Sequence, residues 1–142
     1  MYKDSHNLIA AVSMAVHHKL NIDVFDDRLT IQKGCFILNN WGYGPEYRYS
    51  LYIRGPYSSD LADDYYEFGS IDSDSTDVSS EDIRRLSEIF DKGLPYAEAY
   101  STVMLVKKNN PGFSSEDIRN KALDIKPHLK TEVMEASASL LS

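Results

Sequence analysis

Arg28-Leu-Thr-Ile-Gln32-Lys33-Gly-Cys-Phe36-Ile-Leu38 runs into Trp41-Gly42-Tyr43-Gly44-Pro45, and on to Tyr49-Ser-Leu-Tyr52-Ile-Arg54-Gly55-Pro56-Tyr57-Ser58-Ser-Asp60-Leu61. This stretch decides the fold. An apolar helix, expected from near Asp26 or Asp27 to about Asn40, passes through an aromatic, glycine-rich turn into a short strand. A sharp Arg-Gly-Pro-Tyr-Ser corner then opens a further helix. On the first helix Leu29, Gln32 and Phe36 share one face, and Ile31, Cys35 and Leu38 the neighbouring one. An apolar arc that wide belongs to a central helix. Gln32 lies on the arc, and a buried amide must have its hydrogen bonds met; the predicted partner is backbone at the Gly55-Pro56 corner. The glycines after Trp41 suit positive φ and stop the helix. No strand precedes them and the rest of a phosphate-loop pattern is missing, so they mark a turn.

From Tyr47 to Ile53 the side chains alternate, with Tyr47, Tyr49, Leu51 and Ile53 on one side and Arg48, Ser50, Tyr52 and Arg54 on the other. A lone strand cannot satisfy its ladder. Its partner is expected to be another short segment, near Ile71, or a second copy of the chain, which makes a homodimer an expectation. Pro56 suits a first helical turn, and Ser58 or Ser59 can cap the helix. Asp60, Asp63 and Asp64 favour its N-terminal dipole, and Leu61, Tyr65 and Phe68 form its stripe, ended by Gly69. Tyr52, Arg54, Tyr57 and Asp60 around this corner are the candidate partner-binding residues. Two readings stand. Either Arg54 pairs with Asp60 or Asp64 and pins the turn, or Tyr52, Arg54 and Tyr57 form an exposed anchor of the residue types that dominate binding hot spots.

Outward from this unit the chain is helical. Asp4 or Ser5 caps a first helix striped by Leu8, Ile9, Val12, Ala15, Val16 and Leu20. His6 and His17 fall on one face of that helix, three turns apart and too distant to share a metal ion. The hexapeptide Ser-Ser-Glu-Asp-Ile-Arg occurs at 79–84 and again at 114–119. The flanks do not align, so the match reads as one helix-start solution used twice, serine caps followed by acidic groups in the first turn. Helices are expected from Ser80 to about Lys92-Gly93, from Pro95 to Lys108, from Ser115 to Ile125, and from Pro127 through Val133, Ala136 and Leu140. Asp72, Asp74 and Asp77 have only a superficial likeness to a calcium loop, lacking its glycine and its bidentate glutamate.

At 142 residues the chain suits one domain, spanning 1–142, mainly α, with six to seven helices and a short strand or hairpin. The single cysteine, Cys35, excludes an internal disulfide and any multi-cysteine metal site, and points to a reducing cytoplasm. Net charge is −7, and residues 56–92 hold 11 acidic against 3 basic groups. That segment would repel nucleic acid; it is either a solvated face or a docking surface for a basic partner. No apolar run approaches the ~20 residues of a membrane span. No acid–base pair or nucleophile constellation emerges, and no cofactor or metal is called for.

Arg28-Leu-x-Ile-Gln32-Lys33, followed by Tyr52-Ile-Arg54-Gly55-Pro56-Tyr57-Ser58-x-x-Leu61, resembles the signature of the YwgA-like proteins. These are similar to the Panacea or SocA-like group, which includes antitoxins and proteolytic adaptors. Leu123-Asp-Ile-Lys126-Pro127-His-Leu is similar to the family's helix-Lys-Pro-helix connection. Gly34-Cys35 departs from the family pattern, standing where a leucine or valine is usual. The resemblance implies a helical fold with a small strand element and a non-enzymatic, protein-binding role. The alternative is a winged-helix-like transcriptional regulator that uses a basic patch of Arg28, Lys33, Arg48 and Arg54, against which the acidic charge weighs.

Overall fold

A computed structural model describes residues 2–68 and 76–141. The element order is α1 (Tyr2–Val16), α2 (Phe25–Asn40), β1 (Ser50–Tyr52), β2 (Gly55–Tyr57), α3 (Ser59–Phe68), α4 (Ser80–Asp91), α5 (Leu94–Asn109), α6 (Ser115–Ile125), a 3₁₀ turn (Pro127–Leu129) and α7 (Lys130–Leu140). The protein is mainly α with one antiparallel hairpin, as the sequence leads one to expect.

Helix α2 is central. Every residue from Thr30 to Leu38 is buried, and α2 packs on α1, α5 and the hairpin. Its approach to α1 needs Gly34, because a Cβ there would lie 2.5 Å from Val12 Cγ2 and 2.8 Å from Cγ1. Helix α5 is the second axis, buried from Tyr96 to Val106 and touching α2, α4, α6, α7 and β2. One continuous apolar cluster joins Leu8, Ile9, Phe36, Leu61, Leu86, Val103 and Val133.

The two hexapeptides act alike. Ser79 Oγ accepts from the Asp82 amide and Ser114 Oγ from the Asp117 amide, both at 3.1 Å, and each caps its helix. Capping is local chemistry, so the same six residues solve the same problem at two unrelated places.

Four expectations are corrected. The partner of β1 is the Gly55–Tyr57 segment, with Ser50 opposite Tyr57, Leu51 opposite Pro56 and Tyr52 opposite Gly55. Pro56 therefore sits in a strand and α3 begins at Ser59, with Ser58 Oγ accepting from the Leu61 amide at 3.2 Å. Helix α1 stops at Val16 and His17 takes φ +64°, so it does not continue the face of His6. The alternation of β1 fails beyond Tyr49, since Leu51, Tyr52 and Ile53 are all exposed and the hairpin packs inward through Gly55 and Pro56 of β2. Ile71, the Phe68 side chain, Gly69, Asp72 and Asp74 fall outside the described residues, as do the side chains of Asp4 and Ser5.

Candidate functional site beneath the hairpin

Gln32 meets the corner as its place on α2 implied. Its Oε1 accepts from the Ser58 amide at 2.8 Å, and its Nε2 donates to the Ser58 carbonyl at 3.0 Å. A longer contact of 3.5 Å runs from Nε2 to the Tyr65 hydroxyl, which burial pushes up to about 12. The next residue, Lys33, is 1 % exposed and donates from Nζ to the Arg54 carbonyl at 2.7 Å. From the opposite side Lys126 is also buried, and its Nζ donates to the carbonyl of Ile53. The two-residue turn of the hairpin thus has both carbonyls held from below by ammonium groups.

Buried charge must be compensated or it neutralises. Glu98 on α5 supplies one carboxylate, with Oε2 3.1 Å from Lys126 Nζ. The hairpin presses close to α5 here: a Cβ on Gly55, which holds φ +106°, would sit 3.5–3.7 Å from Glu98, Ser101 and Thr102. Burial is the first cause that lowers Lys33 to about 8; Lys126 and Arg54 add to the lowering, and Glu98 opposes it. Glu98 serves both lysines, and Asp26 adds a weaker support to the charged form of Lys33.

Above this cluster lies an open groove of about 1030 Å³, walled by α2 from Phe25 to Lys33, by the hairpin, and by Ile125, Lys126 and His128. Its rim is apolar and solvent-facing, with Ile53 at the apex 85 % exposed and Tyr52 and Phe25 each more than half exposed. The Tyr52 and Tyr57 rings meet at a tilt of 33°, with centroids 5.0 Å apart. The Arg54 guanidinium lies over Phe25, 5.8 Å from the ring centroid.

Of the four candidate residues, Tyr52, Arg54 and Tyr57 come together on the groove wall, while Asp60 is exposed outside it. Among the described residues Arg54 forms no ion pair with Asp60 or Asp64; Asp64 accepts the Tyr47 hydroxyl at 2.6 Å. Arg28 donates to the Ile22 carbonyl at 2.7 Å and steadies the entry to α2, and Leu61 is in the core. Of the basic patch foreseen from Arg28, Lys33, Arg48 and Arg54, Arg28 and Arg54 meet over the Phe25 ring, while Lys33 turns inward. Phe25, Glu98 and His128 were not singled out in the sequence. Glu98 reads there as an ordinary helix-surface residue, and only an inward position on α5 reveals it.

Cys35 is fully buried, and burial pushes its thiol far above the usual range, the reverse of what a nucleophile needs. Among the described residues no three His, Cys, Asp or Glu side chains converge as a metal site, and no helix is long and apolar enough to cross a membrane. What the arrangement offers is a rigidly backed, apolar and positively charged recess. Comparison of the chain with protein-family models, with curated proteins and with solved structures gave no match.

Proposed function

We propose that this protein is a non-enzymatic interaction module of the cytoplasm, of the antitoxin-like or adaptor kind found in prokaryotic defence and stress systems, and that the hairpin groove is its partner-binding surface. The observation that carries the reading is Ile53. A large aliphatic side chain stands 85 % exposed at the apex of a turn whose backbone is fastened by two buried lysines. Burying a charged lysine is unfavourable unless its bonds are met. A fold that fastens this turn so firmly presents its tip in one position, as a binding anchor requires. Tyr52, Tyr57 and Arg54 beside it are the residue types richest in binding hot spots.

The test compares capture of host proteins by the wild-type chain with capture by Ile53→Glu and by the double variant Tyr52→Ala, Tyr57→Ala. The expected result is loss of the captured partner with the melting temperature held within a degree or two. Intact capture by both stably folded variants would refute the assignment. A second copy of the chain is a partner in the same reading, since the outer edge of β1 has no neighbouring strand among the described residues.

A further inference from the structure

The charge lining the groove is opposite to that of the chain. The protein carries 22 acidic and 15 basic residues, yet Lys33, Arg54 and Lys126 line the groove and no carboxylate does. Asp26 and Glu98 lie across the turn, in an adjoining hollow of about 430 Å³ that shares Lys33 and Arg54 with the groove, and Glu98 is held by Lys126. Among the described residues no carboxylate lies within ion-pair distance of Lys33, and Arg54 at the mouth forms no ion pair. A low-dielectric wall focuses such a field into the cleft it lines.

The rest of the lining is apolar and large, which narrows the occupant. A phosphate-rich ligand would need several convergent donors, but both ammonium groups are buried beneath the turn, which leaves Arg54 as the exposed cation of the lining. The groove is also at the upper end of small-molecule sites, which run to about 1,000 Å³. Resting on the reading of this groove as the partner surface, we infer that it takes an extended peptide segment of a partner protein in which one Asp or Glu is flanked by apolar side chains. The carboxylate meets Arg54, with the buried lysines behind it. The apolar neighbours cover Ile53, Tyr52 and Phe25.

The test pans a random dodecapeptide library, displayed on phage, against the folded full chain. Selected peptides are then synthesised with a fluorophore and titrated by anisotropy. The expected peptides carry Asp or Glu within apolar residues. Replacing that residue by Asn or Gln weakens binding at least about tenfold, Arg54→Gln does the same at unchanged melting temperature, and raised salt weakens both. Peptides without an acidic residue, sensitive to Ile53→Glu but not to Arg54→Gln, overturn the acidic specificity and leave the hairpin as an interaction surface. Peptides indifferent to Tyr52, Ile53 and Arg54 variants overturn both. Failure to select any binder overturns the peptide occupant. So does dodecanoate binding the groove in place of every peptide, or a dimer in sedimentation that excludes every peptide.

Discussion

Gln32 holds Ser58 by both of its backbone groups, accepting from the amide at 2.8 Å and donating to the carbonyl at 3.0 Å. The side-chain amide behaves as a neighbouring strand would, at the one point where β2 leaves its hairpin and the chain turns into α3. Both residues are buried, so water cannot replace the pair.

Gln32→Leu is expected to strand the Ser58 amide and carbonyl. An unmet buried group costs about 1–3 kcal/mol, or a fall of roughly 3–10 °C in melting temperature for a domain of this size. Thermal unfolding followed by circular dichroism checks this, and an unchanged curve would contradict it.

Gly34→Ala is expected to push α1 and α2 apart, since its Cβ would meet both Val12 methyl groups. Overpacking of this kind costs about 1–3 kcal/mol. Val12→Ala in the same chain is expected to restore much of the loss, a coupling that a double-mutant cycle measures. Simple additivity would show that the two residues do not oppose each other.

Lys33 makes stability depend on alkaline pH. Its folded value of about 8 lies below its ordinary 10.5, so between those limits the unfolded chain binds a proton that the folded chain has lost. Stability therefore rises as pH climbs from 8 toward 10, by up to about 3 kcal/mol across the full window, and is lost as pH falls back through 8. Above 10 the buried Tyr49 and Tyr65, both raised by burial, act in the opposite sense. Urea unfolding from pH 7 to 10 measures the slope. Lys33→Met is expected to flatten it, and a slope unaltered in that variant would assign it elsewhere.

Glu98→Gln removes the carboxylate that serves the two buried lysines. Breaking one partner of a buried pair costs about 3–5 kcal/mol, and the alkaline rise in stability is expected to begin at lower pH, because Glu98 no longer supports the charged form of Lys33. A Glu98→Gln protein as stable as wild type would mean that the pair is neutralised by other means.

Self-association is expected through the outer edge of β1, which leaves the groove open. Sedimentation should show a species heavier than the 16.1 kDa chain at micromolar concentration and above, retained when a peptide fills the groove. A monomer across the whole range would refute pairing through that edge.

Much of the architecture was legible in the sequence because it rests on local physics. Helix starts follow from serine caps three residues ahead of an amide, and both copies of the hexapeptide use that bond. The central place of α2 follows from its wide apolar arc, and that arc also marked Gln32 as needing a backbone partner. Pro56 misled, because a fixed φ near −65° suits a strand at a hairpin as well as a first helical turn; pairing with Leu51 decides between them.

Tertiary structure alone decided the site. Lys126 reaches the carbonyl of Ile53 across 73 positions of sequence, and Glu98 enters from a third element. The sequence by itself determined the helices, their caps and the residues at the corner, all of which depend on neighbours within a turn or two. That Lys33 points inward, that Arg54 lies over Phe25 instead of pairing with Asp60, and that the groove excludes carboxylates in an acidic chain depend on how α2, α5 and the 125–128 segment meet. Charge compensation between buried groups is set by distances in space, and no spacing along the chain encodes them.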